Sequence, residues 1–166
     1  MDKLKIIDRQ LLDELVDKAV NSERKRANHN LHETLDDKVQ RFFNAMEPET
    51  YVQPHRHSGS DKWELFLILR GSLLAVIFGD DGSIVSRTRL VAGKDAGLEI
   101  PENTWHSLIS LESGTLMFES KRGPYSPTNA KDFAEWAPTE NNPACADFTE
   151  WFVNGEIGSL PPSKFS

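Results

Sequence analysis

The sequence predicts an all-β fold, a sandwich or barrel in one domain, with a helix before it and a Pro- and aromatic-rich tail after it. Three observations carry that expectation. From residue 39 to residue 121 the chain is a series of short runs rich in aliphatic and aromatic residues. Turn chemistry separates the runs: Arg70-Gly71, Gly79-Asp80-Asp81-Gly82, Ala92-Gly93-Lys94 and Glu112-Ser113-Gly114. Helical spacing of apolar residues is evident only ahead of this region. At 166 residues the chain suits one domain with a sizeable core.

Taken in order, Leu11, Leu12, Leu15, Val16, Ala19 and Val20 recur at helical spacing behind Asp8, a suitable N-cap, and predict a helix ending between Asn21 and Arg26. The basic run Arg24-Lys25-Arg26 reads first as a solvated helix end and second as an anion site. Residues 27–32, Ala-Asn-His-Asn-Leu-His, show no clear period. Strands are expected over 39–46, 50–57, 63–69, 72–78, 84–90, 97–100, 106–111 and 115–120, with Pro54 placing the second at an edge or in an irregular position. Beyond Arg122 the chain carries Pro124, Pro127, Pro138, Pro143, Pro161 and Pro162 together with Trp136, Trp151 and Phe152. Such a segment reads as a tail laid over the barrel. The divisions are therefore 1–38 (helix and polar segment), 39–121 (barrel) and 122–166 (tail), in one domain.

Composition narrows the function classes. A net charge of −7 disfavours a polyanionic partner such as nucleic acid. The apolar runs have strand length, too short to cross a bilayer as helices, and no membrane partner is expected. Cys145 is the only cysteine, which rules out an internal disulfide and a thiolate metal cluster. The start, MDKLKIIDRQ, lacks the apolar core of a signal peptide, so a cytoplasmic protein is expected.

Chemistry concentrates in four residues. His55 and His57 are two apart, so on a strand both imidazoles face one side, about 7 Å apart along it. Glu64 follows beyond the loop Ser58-Gly59-Ser60-Asp61, in register with Phe66 and Ile68. If that face is interior, an unpaired carboxylate would cost several kcal/mol and a bound cation compensates it. His106 opens a later apolar strand. Three imidazoles and a carboxylate suit one divalent ion (Zn, Fe, Mn, Ni or Co) and leave coordination positions for water or a substrate.

These residues also carry a resemblance. His55-Arg56-His57, then Glu64, six residues and Gly71, followed by Pro101-Glu102-Asn103-Thr104-Trp105-His106, resemble the two motifs of the cupin superfamily. The chain departs from the pattern in a longer gap between His57 and Glu64, in Asn103 where Gly is usual, and in Ser110 where Asn is common. Asn tolerates positive φ well, so the first exchange is mild. Over residues 24–32, 39–57, 62–71, 98–106 and 123–138 the chain is similar to WbuC-type cupin-fold metalloproteins, small bacterial proteins often encoded among surface-polysaccharide genes. The resemblance implies a double-stranded jelly-roll barrel with His55, His57, Glu64 and His106 as metal ligands.

The expected function is a metal-dependent enzyme of isomerase or epimerase type on a small sugar-like or carbonyl ligand. An iron-dependent dioxygenase and a non-enzymatic metal-dependent sugar or metabolite sensor stay open. Asn28 and Asn30 are candidate substrate contacts at the barrel mouth, or part of a polar loop capping the helix. Trp63, Leu65, Leu67 and Leu69 form a second apolar face on one strand, which needs the helix, the tail or a second subunit as cover. A homodimer is expected.

Overall fold

The computed structural model describes residues 4–125 and 132–162; Pro127 and Lys131 of the predicted tail and the first three residues lie outside them. Among the described residues the chain forms α1 (Arg9–Asn21), ten strands and α2 (Cys145–Asn154). The strands are β1 (Arg26–Asn30), β2 (Val39–Met46), β3 (His55–Arg56), β4 (Glu64–Arg70), β5 (Ser72–Phe78), β6 (Ile84–Val91), β7 (Gly97–Ile100), β8 (Trp105–Ser110), β9 (Thr115–Arg122) and β10 (Asp132–Phe133). They make two five-stranded antiparallel sheets, one ordered β1-β2-β9-β4-β7 and the other β10-β3-β8-β5-β6. This is the small jelly roll expected.

Strand parity sorts the side chains into three cores. Met46, Phe66, Ile68, Leu73, Ala75, Leu90, Ile100, Leu108 and Met117 point between the sheets. The alternate residues of the first sheet, Phe43, Ala45 and Leu116, meet Leu15 and Ala19 of α1. On the second sheet the alternate residues Leu74, Val76, Phe78, Ile84 and Ile109 are covered by Ala134, Ala137, Phe148 and Phe152. Each sheet is thus apolar on both faces where a terminal helix lies over it, which explains why β5 is buried along almost all its length.

As expected, Asp8 caps α1, its carboxylate accepting from Leu11 N at 2.9 Å, and the helix stops at Asn21, short of the basic run. The elements differ from expectation at three places. Residues 26–30 are an edge strand, paired to β2, whose polar side chains hide its period. Of the predicted strand 50–57 only His55 and Arg56 pair, because Pro54 offers no donor. The tail holds α2, whose apolar spacing (Phe148, Trp151, Phe152) is hidden among prolines.

One glycine fixes the β4–β5 corner. Gly71 has φ of +74°, and a Cβ there would lie 2.5 Å from Thr115 Oγ1 and 3.1 Å from Thr115 Cα. Left-handed backbone costs about 1–2 kcal/mol and overpacking about 1–3 kcal/mol. Gly71→Ala is therefore expected to lose about 2–5 kcal/mol in urea unfolding; a loss below about 1 kcal/mol would show that the corner relaxes freely.

Candidate metal centre

His55 and His106 stand directly opposite each other across the β3–β8 ladder. His57 lies just beyond β3, its carbonyl accepting from Asn103 N at 2.9 Å. Asn103 takes a φ of +60°, the conformation for which Asn substitutes for Gly. Glu64 begins β4 on the other sheet, opposite Lys121 of β9. Both sheets thus contribute donors to the barrel interior. One ligand atom from each of His55, His57, Glu64 and His106 lies within 4.8 Å of all the others, and all four residues are buried.

Backbone carbonyls set the imidazole tautomers. His55 Nδ1 is 2.9 Å from Gln53 O, and His106 Nδ1 is 2.8 Å from Thr104 O. A carbonyl only accepts, so each Nδ1 carries the proton and each Nε2 presents a lone pair. His106 Nε2 lies 3.1 Å from Glu64 Oε2 yet is out of line for a hydrogen bond. A lone pair beside a carboxylate oxygen in a buried site repels it, and a cation between the two removes that repulsion. His57 Nε2 is 2.7 Å from Glu64 Oε1. The donor set therefore fits a divalent ion held by imidazole nitrogen and carboxylate oxygen.

The electrostatics agree. Burial alone would raise the pKa of Glu64, but the Lys121 ammonium 2.9 Å away holds it well below the usual carboxylate range. Lys121 Nζ is 2.9 Å from both Glu64 Oε1 and Glu119 Oε1. Burial works to lower the lysine pKa, and these two carboxylates outweigh it and raise it. Asn44 Nδ2 donates to Glu119 Oε2 at 2.7 Å.

A cavity of about 390 Å³ opens over the cluster; its wall includes His55, Glu64, His106, Lys121, Glu119, Asn44, Asn28, Arg24, Arg26 and Glu140. Of the two predicted substrate contacts, Asn28 lines this cavity. Asn30 does not line it, and its Oδ1 accepts from Asn28 Nδ2 at 2.9 Å. His32 packs as structure, Arg41 N donating to its Nδ1 at 3.1 Å. Arg56 stacks 4.4 Å over the Trp105 ring and pairs with Asp132, away from the cluster. Lys121 and Glu119 had no assigned role from sequence, although parity from Met117 places both inward. Glu140 carried no sequence signal, since its partners are more than a hundred residues away.

Comparisons with known proteins agree with the fold. An oxalate oxidase in complex with the substrate analogue glycolate matches over 69% of this chain, at 19% identity and a TM-score of 0.52. CapF with the inhibitor 3-isopropenyl-tropolone matches over 69% of this chain, at 19% identity and a TM-score of 0.58. The conserved SPY1581 protein of unknown function from Streptococcus pyogenes matches 76% of this chain and 93% of its own, at 13% identity and a TM-score of 0.51. This chain spans 58% of the oxalate oxidase chain and 33% of CapF, less than two thirds of either. The shared fold is a small jelly roll of the cupin type. No curated protein matches the sequence. Residues 7–90 match a family described as Domain of unknown function (DUF6016).

Proposed function

The chain belongs to the DUF6016 family, and we propose that its members of this form are metal-dependent enzymes acting on a small sugar-like or carbonyl substrate by isomerisation or epimerisation. One observation carries the reading: four buried donors converge, three of them lining a cavity large enough for a monosaccharide-sized ligand, with His106 Nε2 lying out of line for a hydrogen bond to Glu64. His55, His57, His106 and Glu64 would hold one divalent ion, whose Lewis acidity polarises a carbonyl oxygen.

The chain's own groups supply the rest. The Gln53 and Thr104 carbonyls fix the imidazole orientations. Lys121 keeps Glu64 charged, and the apolar wall of Phe66, Leu108 and Met117 limits water. A proton must leave the carbon beside the carbonyl. In this reading the Glu119 carboxylate, oriented by Asn44 and Lys121, takes it and returns it to the adjacent carbon while the hydroxyl proton passes to the former carbonyl oxygen. Asn28 contacts the substrate in this reading, and Asn30 positions Asn28.

The WbuC-type resemblance supports a place near surface-polysaccharide synthesis, and a cytoplasmic setting belongs to the same proposal. So does a homodimer, supported by Leu67 and Leu69 of β4, which are 39% and 47% exposed beyond the edge of the α1 cover. A single monomeric mass at micromolar concentration removes the dimer.

The deciding experiment compares protein purified without added metal, chelator-stripped protein and reloaded protein. Elemental analysis is paired with mass-spectrometric assays of aldose–ketose interconversion and epimerisation. About one metal per chain, with turnover only in the loaded forms, supports the proposal. Oxygen uptake with reduced iron would replace it by a dioxygenase, and tight metal-dependent ligand binding without product by a sensor. Equal turnover in stripped protein ends it.

A further inference from the structure

The cavity over the metal centre has a second polar wall, built from the basic run. The run lies beyond α1, in the turn into β1, where Lys25 takes a φ of +53° and the flanking arginines reach the same carboxylate. Arg24 Nε is 2.9 Å and its Nη2 2.7 Å from Glu140 Oε2, and Arg26 Nη2 donates to Glu140 Oε1. Arg26 Nη1 also donates to Tyr51 O at 2.7 Å. The Arg26 side chain is only 20% exposed, so its guanidinium needs an anion beside it. Arg24 is 58% exposed.

Two further facts bear on what that anion is for. Arg24, Arg26 and Lys121 face Glu64, Glu119 and Glu140 around the cavity, three charges against three. A divalent ion in the centre leaves the cavity positive, which a neutral sugar would not offset. Glu140 also comes from an irregular segment between Pro138 and Pro143, beside Asn141 at a φ of +71°. Its carboxylate can therefore swing away without unpairing a strand. Asn28, two residues from Arg26 on β1, lines the same space.

We propose that Arg24 and Arg26 form an anion subsite of this cavity, in which the Glu140 carboxylate stands in for a carboxylate or phosphate of the ligand, and that the ligand is an acidic or phosphorylated sugar-like compound. The inference rests on the metal-centre reading above and adds the charge class of the ligand. On binding, the ligand's anion takes Glu140's place on the two guanidinium groups while its hydroxyl or carbonyl oxygens meet the metal.

The test is calorimetric titration of glucose, glucuronate and glucose 6-phosphate into zinc-loaded and chelator-stripped protein. The expected result is that one or both anions bind at least about tenfold more tightly than glucose. Glucuronate against glucose 6-phosphate separates a carboxylate ligand from a phosphate one. Arg24→Gln, at an exposed position that keeps the fold, and Arg26→Gln abolish the preference. Glu140→Gln tightens anion binding by about tenfold, because the internal competitor is gone. Equal affinity for all three probes, no anion binding at millimolar concentration, or Glu140→Gln with a lower melting temperature and no gain in affinity overturns the proposal. Failure of the metal reading looks different: zinc is not retained, while the anion preference and its loss in Arg24→Gln persist in stripped protein.

Discussion

Replacing His106 by alanine is expected to lower metal affinity by at least about 100-fold, leaving the purified protein nearly metal-free. Losing a mere hydrogen-bond partner of a ligand costs about 10–100-fold, and His106 is a proposed ligand itself. Its position explains the size of the effect. It faces His55 across a two-strand ladder, its Nδ1 is held by Thr104 O, and its Nε2 lies 3.1 Å from Glu64 Oε2. Leu108 and Phe66 of the cavity wall offer no nitrogen or oxygen donor in its place. Elemental analysis after gel filtration, with circular dichroism to show that the sheets persist, checks the result. Full stoichiometry in the folded variant would mean that His106 is a core histidine.

Lys121→Met is expected to destabilise metal-free protein by about 3–5 kcal/mol, the range for stripping one partner from a buried ion pair. The ammonium compensates two carboxylates at once, Glu64 and Glu119, both 2.9 Å away. Burial at this depth penalises either one once the cation is removed, and Asn44 answers only Glu119. For a domain of this size the loss corresponds to a fall in melting temperature on the order of 10 °C. Added divalent metal should recover part of it, because the ion takes over the compensation of Glu64. A variant that melts with the wild type in chelator would show that Glu64 draws its stability from the imidazoles alone.

The cluster of three histidines and Glu64 was legible because two regularities agreed. Strand parity put His55 and His57 on one side and Glu64 with Phe66 and Ile68, and the motif spacing named His106 as the fourth member. Parity could also have found Lys121: along β9, Met117, Glu119 and Lys121 share one face, and charged residues following a buried methionine are a signal in themselves. The strands of the second sheet's centre were readable from their apolar runs, as was α1 from its cap and spacing. β1 was not readable, since a five-residue edge strand whose only apolar residue is Ala27 has no apolar period. α2 escaped for another reason. It has no side-chain cap at Ala144, and the nearest polar signal, Asn142 accepting from Ala144 N at 2.9 Å, lies ahead of Pro143. The Arg24–Arg26–Glu140 contact is purely tertiary, joining β1 and the tail across the chain, so no local pattern announces it.

The brevity of β3 has a consequence for how the molecule is made. This two-residue strand bears His55, yet its partner on the far side is β10, and Pro54 O accepts from Ala134 N at 2.9 Å. All four donors have left the ribosome once residue 106 emerges, but the backbone that seats the first histidines waits for residues 132–134. Synthesis therefore delays maturation: a nascent chain halted before that point would own all four proposed ligands and still lack the β10 pairing that holds the strand bearing His55. Ion capture would come as a closing event of folding, after the C-terminal segment has docked.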